Sequence, residues 1–371
     1  MTATSYRYIF CDLLTNEVLA ELPLTGVRFD EKLNEYGNFE SRILLSGLDT
    51  KAYNVFNATV GGKCAIYVDR NDVLIFGGVL IYRKYKSSKQ MLELKAQSFE
   101  SYLESRLITA DVVFTNVDQL SIAASLITTM QAELYGDIGL LYNQDAGSTA
   151  TSGVLVTQNY YAYEKKKVFQ AIQDLSNTET GFDFSITVYY DGVGVPTKSF
   201  NTYYPSRGVR YSPSLLTVPV FEMPSGNILD YDYEEDSSRL ANRVFALGAG
   251  SGIGKVSASA DDSAKFADGW ALVEDTEAYS DVTDVTQLGS LATGRVNAVS
   301  YPPISFVVTL SPTQDPLFGT YKVGDDVRVR ITDPFFPEGL DEIYRIVSLA
   351  VEAGEDGPER VVLNLTQNTG A

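Results

Sequence analysis

Apolar and polar residues alternate along the first hundred positions with the period of two that marks half-buried strands. Segments 6–10 and 17–22 flank a turn at Thr15 and Asn16. Segment 39–45 sets Phe39, Ser41 and Ile43 against Glu40, Arg42 and Leu44. Cys64 opens a run to 68, and the turn Asp69-Arg70-Asn71-Asp72 follows. Then 73–76 leads through Gly77-Gly78 into 79–86. After Ser87-Ser88-Lys89, segment 91–97 sets Leu92, Leu94 and Ala96 against Glu93, Lys95 and Gln97. Paired glycines inside a strand pattern predict a bend of the kind barrel corners require. The reading is a meander of antiparallel strands over 1–107, a small barrel or sandwich, closed by a short helix from Ser98 to Arg106.

The period then changes. Asp118 caps a helical stripe of Leu120, Ala123, Ala124, Ile127 and Leu134, with Gly136 as its stop. A loop rich in Gly, Ser and Thr covers 143–153. A second helix is predicted over 163–177, with Val168, Ile172 and Leu175 buried and Lys165-Lys166-Lys167 in its solvated first turn. Strands 182–190 and 198–204 complete an α+β unit over 108–225. Strand signals return over 226–371, at 228–233, 242–247, 304–310, 326–331, 344–351 and 360–365. A flexible segment covers 257–268, and a helical insertion lies at about 270–303. There Thr283 caps Val285, Leu288, Ala292, Val296 and Val299, and Pro302-Pro303 ends the run. Gly324-Asp325-Asp326 and Glu355-Asp356-Gly357 supply turns. The fold class expected is mainly β, with two related antiparallel barrels flanking an α+β module.

Composition narrows the chemistry. The 371 residues hold 29 Lys and Arg against 48 Asp and Glu, a net charge of −19, and no His. The absence of His excludes Ser-His-Asp and Cys-His nucleophiles, HExxH metal sites and a histidine pH switch. The acidic balance disfavours tight binding to phosphate backbones or anionic membranes. Cys11 and Cys64 both sit in apolar alternating runs and read as small core residues. No apolar run approaches the length of a membrane span, and no signal-peptide pattern follows Met1. No metal and no cofactor is expected.

Four constellations invite functional readings. Gly248 to Gly254 follows a strand, but its G-x-G-x-G-x-G spacing departs from the dinucleotide fingerprint. Gly254-Lys255 is followed by Val256 rather than Ser or Thr, so the run reads as a mobile loop. Asp230, Asp232 and Glu234 share one strand face, as a cation site or glycosidase pair would, or as a solvated edge that blocks aggregation. Tyr160, Tyr161 and Tyr163 read either as a sugar-stacking platform or as packing. Tyr82-Arg83-Lys84-Tyr85-Lys86 is locally basic and suits carboxylates of a neighbouring subunit.

The order of several segments resembles the hub-type minor tail proteins of long-tailed actinobacterial phages. These belong with the contractile-phage baseplate hub and the tail-associated proteins of siphophages. The matching segments are Gly37-Asn38-Phe39-Glu40-Ser41-Arg42-Ile43, Ile75-Phe76-Gly77-Gly78-Val79-Leu80, Leu92-Glu93-Leu94-Lys95-Ala96 and Phe99-Glu100-Ser101-Tyr102-Leu103. The run from Arg239 to Gly250 is similar to the family's most recognisable stretch. Val323-Gly324-Asp325-Asp326-Val327-Arg328-Val329, Tyr344-Arg345-Ile346-Val347 and Val361-Val362-Leu363-Asn364-Leu365 are similar to its closing barrel.

The resemblance implies a structural hub in the virion tail tip with two tube-like barrels per chain and no catalytic residue. Three copies would form a homotrimeric ring that matches a sixfold tube to a threefold tip. A distal tail or tube protein would lie above, tip or fibre proteins below, and the tape measure protein in the lumen. DNA would pass an acidic wall without specific binding. No lytic, peptidase or fibre activity is carried over. Contact regions are expected at Gly77-Gly78, 143–153 and 248–254. Two rivals stay open: a virion carbohydrate- or receptor-binding adhesin using the tyrosines, and a carboxylate glycosidase.

Overall fold

The computed structural model describes residues 4–178, 180–212, 218–280, 282–301, 304–354 and 358–367. The expected turn at Glu355-Asp356-Gly357 and the helix stop at Pro302-Pro303 lie outside them. The chain divides into two compact units, Met1–Tyr231 with Val307–Ala371, and Asp232–Phe306.

The first stretch of chain runs β1 (Tyr6–Asp12), β2 (Val18–Glu21), β3 (Thr25–Lys32), β4 (Asn38–Leu44), the single turn α1 (Val55–Ala58), β5 (Cys64–Arg70), β6 (Val73–Lys86), β7 (Met91–Ser98) and α2 (Glu100–Glu104). The middle holds β8 (Val112–Asp118), α3 (Gln119–Ala132), β9 (Leu140–Tyr142), β10 (Leu155–Tyr160), α4 (Val168–Ser176), β11 (Asp183–Tyr190), β12 (Pro196–Tyr203) and β13 (Val220–Met223). Then come β14 (Ile228–Glu235), β15 (Arg243–Leu247), β16 (Ser257–Asp261), α5 (Ser263–Ala267), β17 (Glu274–Ala278) and α6 (Val285–Val299). The chain finishes with β18 (Ile304–Leu310), β19 (Asp326–Ile331), β20 (Leu340–Glu352) and β21 (Arg360–Gln367).

Alternation produces the strands it predicts. Phe39, Ser41 and Ile43 of β4, Leu92, Leu94 and Ala96 of β7, and Val361, Leu363 and Leu365 of β21 all face inward. β5 is buried on both faces because Ala65 and Tyr67 pack against the helical module, in one core with Leu120, Ile172 and Phe200. The two expected barrels take a different form. Their strands join one 13-stranded sheet in the order β14-β18-β21-β20-β3-β4-β7-β6-β5-β1-β2, with β19 on β20 and β13 on β19. No closed sheet occurs among the described residues. The seam is β3 against β20, antiparallel from Ser348 opposite Lys32 to Glu352 opposite Arg28. Pairing these strands with one another satisfies two rows of backbone groups that would otherwise be sheet edges.

Several local expectations shift for identifiable reasons. The second helix starts at Val168, not 163. Lys165 takes a left-handed conformation (φ 48) after a 3-10 turn at Ala162–Glu164, so the three lysines precede the helix. Lys166 and Lys167 instead reach Asp174 and Glu104. α3 ends at Ala132, leaving Leu134 83% exposed rather than on the buried stripe. Ser98 belongs to β7, and α2 begins two residues on without a side-chain cap. The cap of α6 is Asp284, which accepts from the Gln287 amide at 2.7 Å, rather than Thr283. The segment expected to be flexible forms β16 and α5, with Asp262 capping the helix.

In the second unit β15 is central, antiparallel to β16 and parallel to β17, with Leu288, Ala292 and Val296 of α6 packed on it. Buried Asn242, at the head of β15, accepts from the Val273 amide at 2.8 Å and donates to the Ala271 carbonyl at 2.7 Å. Lys265 is held between the rings of Trp270 and Tyr301, 4.0 and 3.9 Å from their centroids.

A buried ionic network ties the larger unit together. Asp183, at the start of β11, accepts from Asn34 Nδ2 at 3.0 Å, from the Arg207 amide at 2.6 Å and from the Arg345 guanidinium of β20. The Arg207 guanidinium, 4% exposed, pairs with Glu31 of β3. Asn34 Oδ1 accepts from the Phe184 amide at 2.8 Å, and Arg345 also donates to the carbonyls of Gly324 and Arg207, both at 3.3 Å. Asp325 accepts from the Val209 amide at 2.7 Å. At Gly208 (φ 87) a Cβ would lie 2.4 Å from the Gly324 backbone, so only glycine admits this approach. Arg345→Met strips Asp183 of its ion-pair partner on β20 while leaving it buried. It is expected to lower the unfolding free energy by about 2–4 kcal/mol in urea denaturation. Lys95→Met, at the exposed Glu40 pair, is expected to leave the midpoint unchanged.

Candidate functional site

The acidic triplet lies where a solvated edge would put it. β14 ends the strand order of the sheet, and Asp230, Asp232 and Glu234 are all exposed on one of its faces. Tyr231 and Tyr233 take the other face, where Tyr231 donates to Asp333 and Tyr233 meets the Phe306 ring edge-on at 5.4 Å. Same-face neighbours along one strand point the same way into water, whereas a glycosidase needs two carboxyls opposed across a substrate. Among the described residues no group of three or more acidic or sulfur ligands is placed to hold a metal.

The other constellations separate on folding. Tyr160 is buried, its ring edge-on to Phe114 at 6.4 Å, while Tyr161 and Tyr163 are exposed and stacked on each other at 5.5 Å. Gly248 to Gly254 closes the β15–β16 hairpin, its ends fixed by the Gly248 amide on the Val256 carbonyl at 2.7 Å and the Ala249 amide on the Val282 carbonyl at 2.8 Å. Its tip, Ile253, is fully exposed. The 143–153 loop is also tied down: Asp145 accepts from Tyr203 at 2.7 Å, and Asp118 Oδ2 accepts from the Ser152 and Gly153 amides at 2.8 and 2.7 Å. Desolvation raises the Asp118 carboxyl, but the hydrogen bonds it accepts from the Gly153, Leu120 and Ser152 amides and the Ser152 hydroxyl together outweigh it and hold the group below the ordinary aspartate range.

In the basic segment Arg83 caps the Phe56 ring at 4.6 Å and Lys86 pairs with Glu93. Gly77 and Gly78 are interior, which corrects their assignment as a contact surface and as a barrel corner. A Cβ on Gly77 would lie 2.6 Å from Val188 Cγ1 and 2.7 Å from Phe99, and one on Gly78 would lie 2.3 Å from the Gln97 carbonyl. The glycines let β6 press against β11 and β7.

Two features escape the sequence reading. The first is a cleft of about 600 Å³ in the larger unit, walled by β3, the start of β6, β11 and the 317–322 loop. Phe29, Phe76, Ile186, Val188 and Phe318 give it an apolar lining. Its charged residues are largely paired: Arg70 holds Glu359 at 2.7 Å beneath the Phe318 ring, Arg207 holds Glu31, and Lys32 and Lys322 face Asp30 and Asp145 at 3.6 and 3.8 Å. A larger cleft of about 860 Å³ carries Tyr6, Arg7 and Glu359, whose polar ends are already engaged within the chain.

The second is Lys198, 1% exposed on β12. Its Nζ lies 3.4 Å from the Tyr67 hydroxyl, which itself donates to Asn16 at 2.9 Å, and 5.0 Å from the Phe99 ring centroid. Burial pulls its ammonium down to about 8 and pushes the nearby Cys11 thiol up to about 12. A charged residue between Thr197 and Ser199, in a strand made largely of polar residues, gives no sign in sequence that it is buried.

No family model matches the chain, and no curated protein matches it in sequence. Solved structures do match its fold. The tail protein from Neisseria meningitidis MC58 superposes with a TM-score of 0.60 at 12% identity, over 97% of each chain. The 43 kDa tail protein of prophage MuSo2 from Shewanella oneidensis gives 0.60 and 12% over 98% of each. The prophage tail protein gp18 from Listeria monocytogenes EGD-e gives 0.52 and 11%, over 96% of this chain and 94% of that one. The chain therefore has the fold of phage tail proteins, along nearly its whole length.

Two stability measurements follow from this geometry. A lysine whose folded pKa lies near 8, below its unfolded value, penalises the fold fully below pH 8. That penalty is relieved as pH rises toward 10.5. Lys198→Met is expected to raise unfolding free energy at pH 7 by about 1–3 kcal/mol, and the gain over the native chain is expected to shrink as pH rises from 8 toward 10.5, where the native lysine sheds its own penalty. Gly77→Ala is expected to cost about 1–3 kcal/mol by overpacking against Val188 and Phe99, measured by the same denaturation.

Proposed function

We propose that this chain is a structural, non-catalytic subunit of a bacteriophage tail, the hub of the tail tip. The observation that carries the reading is the end-to-end correspondence of fold with three tail proteins, two of them from prophages. Two further features support it. The first and last strand groups are alike in kind and sit in one sheet about a shared seam, as two tube-forming elements per chain would. The conspicuous carboxylates lie on an open edge rather than in a pocket.

In this reading three chains make a homotrimeric ring whose six strand groups, one from segment 1–107 and one from 226–371 of each copy, meet a sixfold tube above and a threefold tip below. The ring contacts a distal tail or tube protein, tip or fibre proteins, and the tape measure protein in its lumen. Its acidic excess repels DNA phosphates, so DNA passes without specific binding. The exposed loop at 248–254 and the basic stretch from Tyr82 to Lys86 are surfaces for neighbouring copies or tail proteins.

The adhesin reading retains one observation, the exposed Tyr161–Tyr163 stack. Light scattering combined with negative-stain imaging separates the two. The hub reading expects a species of three chains with a central channel, its inner wall dominated by Asp and Glu. A stable monomer that is retained on cell-wall glycan and loses retention in Tyr163→Ala would replace the hub with the adhesin.

A further inference from the structure

The face of the large sheet turned away from the core carries an ordered set of charges. Arg360 of β21, Glu352 of β20, Arg28 of β3, Glu40 of β4 and Lys95 of β7 stand opposite one another in one row across five adjacent strands. Their signs alternate: Arg28 meets Glu352 at 3.1 Å, and Lys95 meets Glu40. The neighbouring row is not balanced. Glu93 of β7 lies between Arg42 of β4 and Lys84 of β6, and it already pairs with Lys86. Lys86 foremost, then Lys84 and Arg42, hold its carboxyl below the ordinary glutamate range. One carboxylate therefore answers three cations, and exposed Arg42 and Lys84 have no ion-pair partner among the described residues. On a chain of net charge −19 this is a local excess of positive charge.

The complement of that surface is on the same chain. Asp230, Asp232 and Glu234 of β14 are exposed on one face, with no hydrogen-bond or ion-pair partner for their carboxylates among the described residues. They recur every second residue, about 7 Å apart, as Tyr82, Lys84 and Lys86 do along β6. β14 ends the strand order, and six strands stand between it and β6. Two unlike faces of opposite sign on one chain define a heterologous contact, in which each copy gives one face and receives on the other.

We propose that the sheet face around Arg42 and Lys84 docks the β14 carboxylates of a second copy of this chain, head to tail. Exposed ion pairs add little affinity singly, so their part is to steer and register the contact. Exposed Leu44 and Tyr82 beside them supply apolar area. A nucleic-acid backbone suits this face less well. Glu40 and Glu93 stand among its cations and repel a continuous line of phosphates, whereas separate carboxylates can seat between them. The inference deepens the tail-assembly reading by naming the two surfaces that meet, and it rests on that reading only for closure of the contact into a ring of three.

The test is sedimentation equilibrium of the full chain at about 50 and about 500 mM NaCl, where charges are weakly and strongly screened respectively. Self-association is expected, weakened about tenfold or more by the higher salt. Arg42→Glu with Lys84→Glu, and separately Asp230→Lys with Asp232→Lys, are each expected to weaken it about tenfold or more at low salt. Thermal midpoints are expected to stay unchanged, because all four residues are exposed. The chain carrying all four substitutions presents the same two faces with their signs exchanged, and it is expected to associate as the native chain does. A native chain that stays monomeric at about 100 μM and low salt overturns the proposal. Binding of a single-stranded oligonucleotide by that monomer would make the face a polyanion site instead. Association indifferent to both pairs of reversals overturns it too, as does failure of the fourfold variant to recover, since the two faces then do not meet. The hub reading fails separately. A species other than three chains that responds to the reversals would remove the ring and leave the docking, whereas a trimer indifferent to them would do the opposite.

Discussion

The fold hinges on one buried carboxylate. Asp183 sits where the helical module, the first strand group and the closing strands converge, and it takes a hydrogen bond or ion pair from each: Asn34, the Arg207 amide and Arg345. Arg207 carries the same junction onward to Glu31. Placing these charges out of water is expensive, and an apolar cluster of equal volume could hold the parts together at least as tightly. What the ions add is geometry. A carboxylate with three donors fixes the direction from which each neighbour arrives, and the glycine contact between Gly208 and Gly324 leaves no room for a second arrangement.

Elements governed by local period were legible in the sequence. β4, β7 and β21 follow strict alternation, and Asp118 caps α3 through the Leu120 amide as its position before an apolar stripe suggests. What failed did so where tertiary context outweighs local signal. β3 is absent from the predicted strands, because Arg28, Asp30, Glu31 and Lys32 interrupt its apolar pattern and gain their setting only from β20 and Arg207. Lys165 departs from a helical pattern by adopting a left-handed turn, which no hydrophobic period reveals. The glycine pair at 77 and 78 looked like a bend and is a packing concession to β11 and β7.

The candidate site was less readable than the fold, for a related reason. Sequence draws attention to clusters, and the clusters here disperse: Tyr160 enters the core while Tyr161 and Tyr163 stay outside, and the carboxylates of β14 share one solvated face. The unusual side chains are solitary. Glu100, Lys198 and Arg207 are single charges in ordinary surroundings, and only burial marks them. A match of fold at 12% identity points the same way, since a period can be kept while almost every residue changes.

The seam between β3 and β20 has a cost in time. Its partners, such as Lys32 and Ser348, are more than three hundred residues apart, so the sheet stays in two pieces until the ribosome has made nearly all of the chain. At roughly 5–20 residues per second that wait lasts on the order of a minute or less, yet throughout it the nascent β3 is without its neighbour. The polar character of that strand is then useful before the native state exists. Its charges discourage adhesion to other nascent chains while the proper mate is still being synthesised.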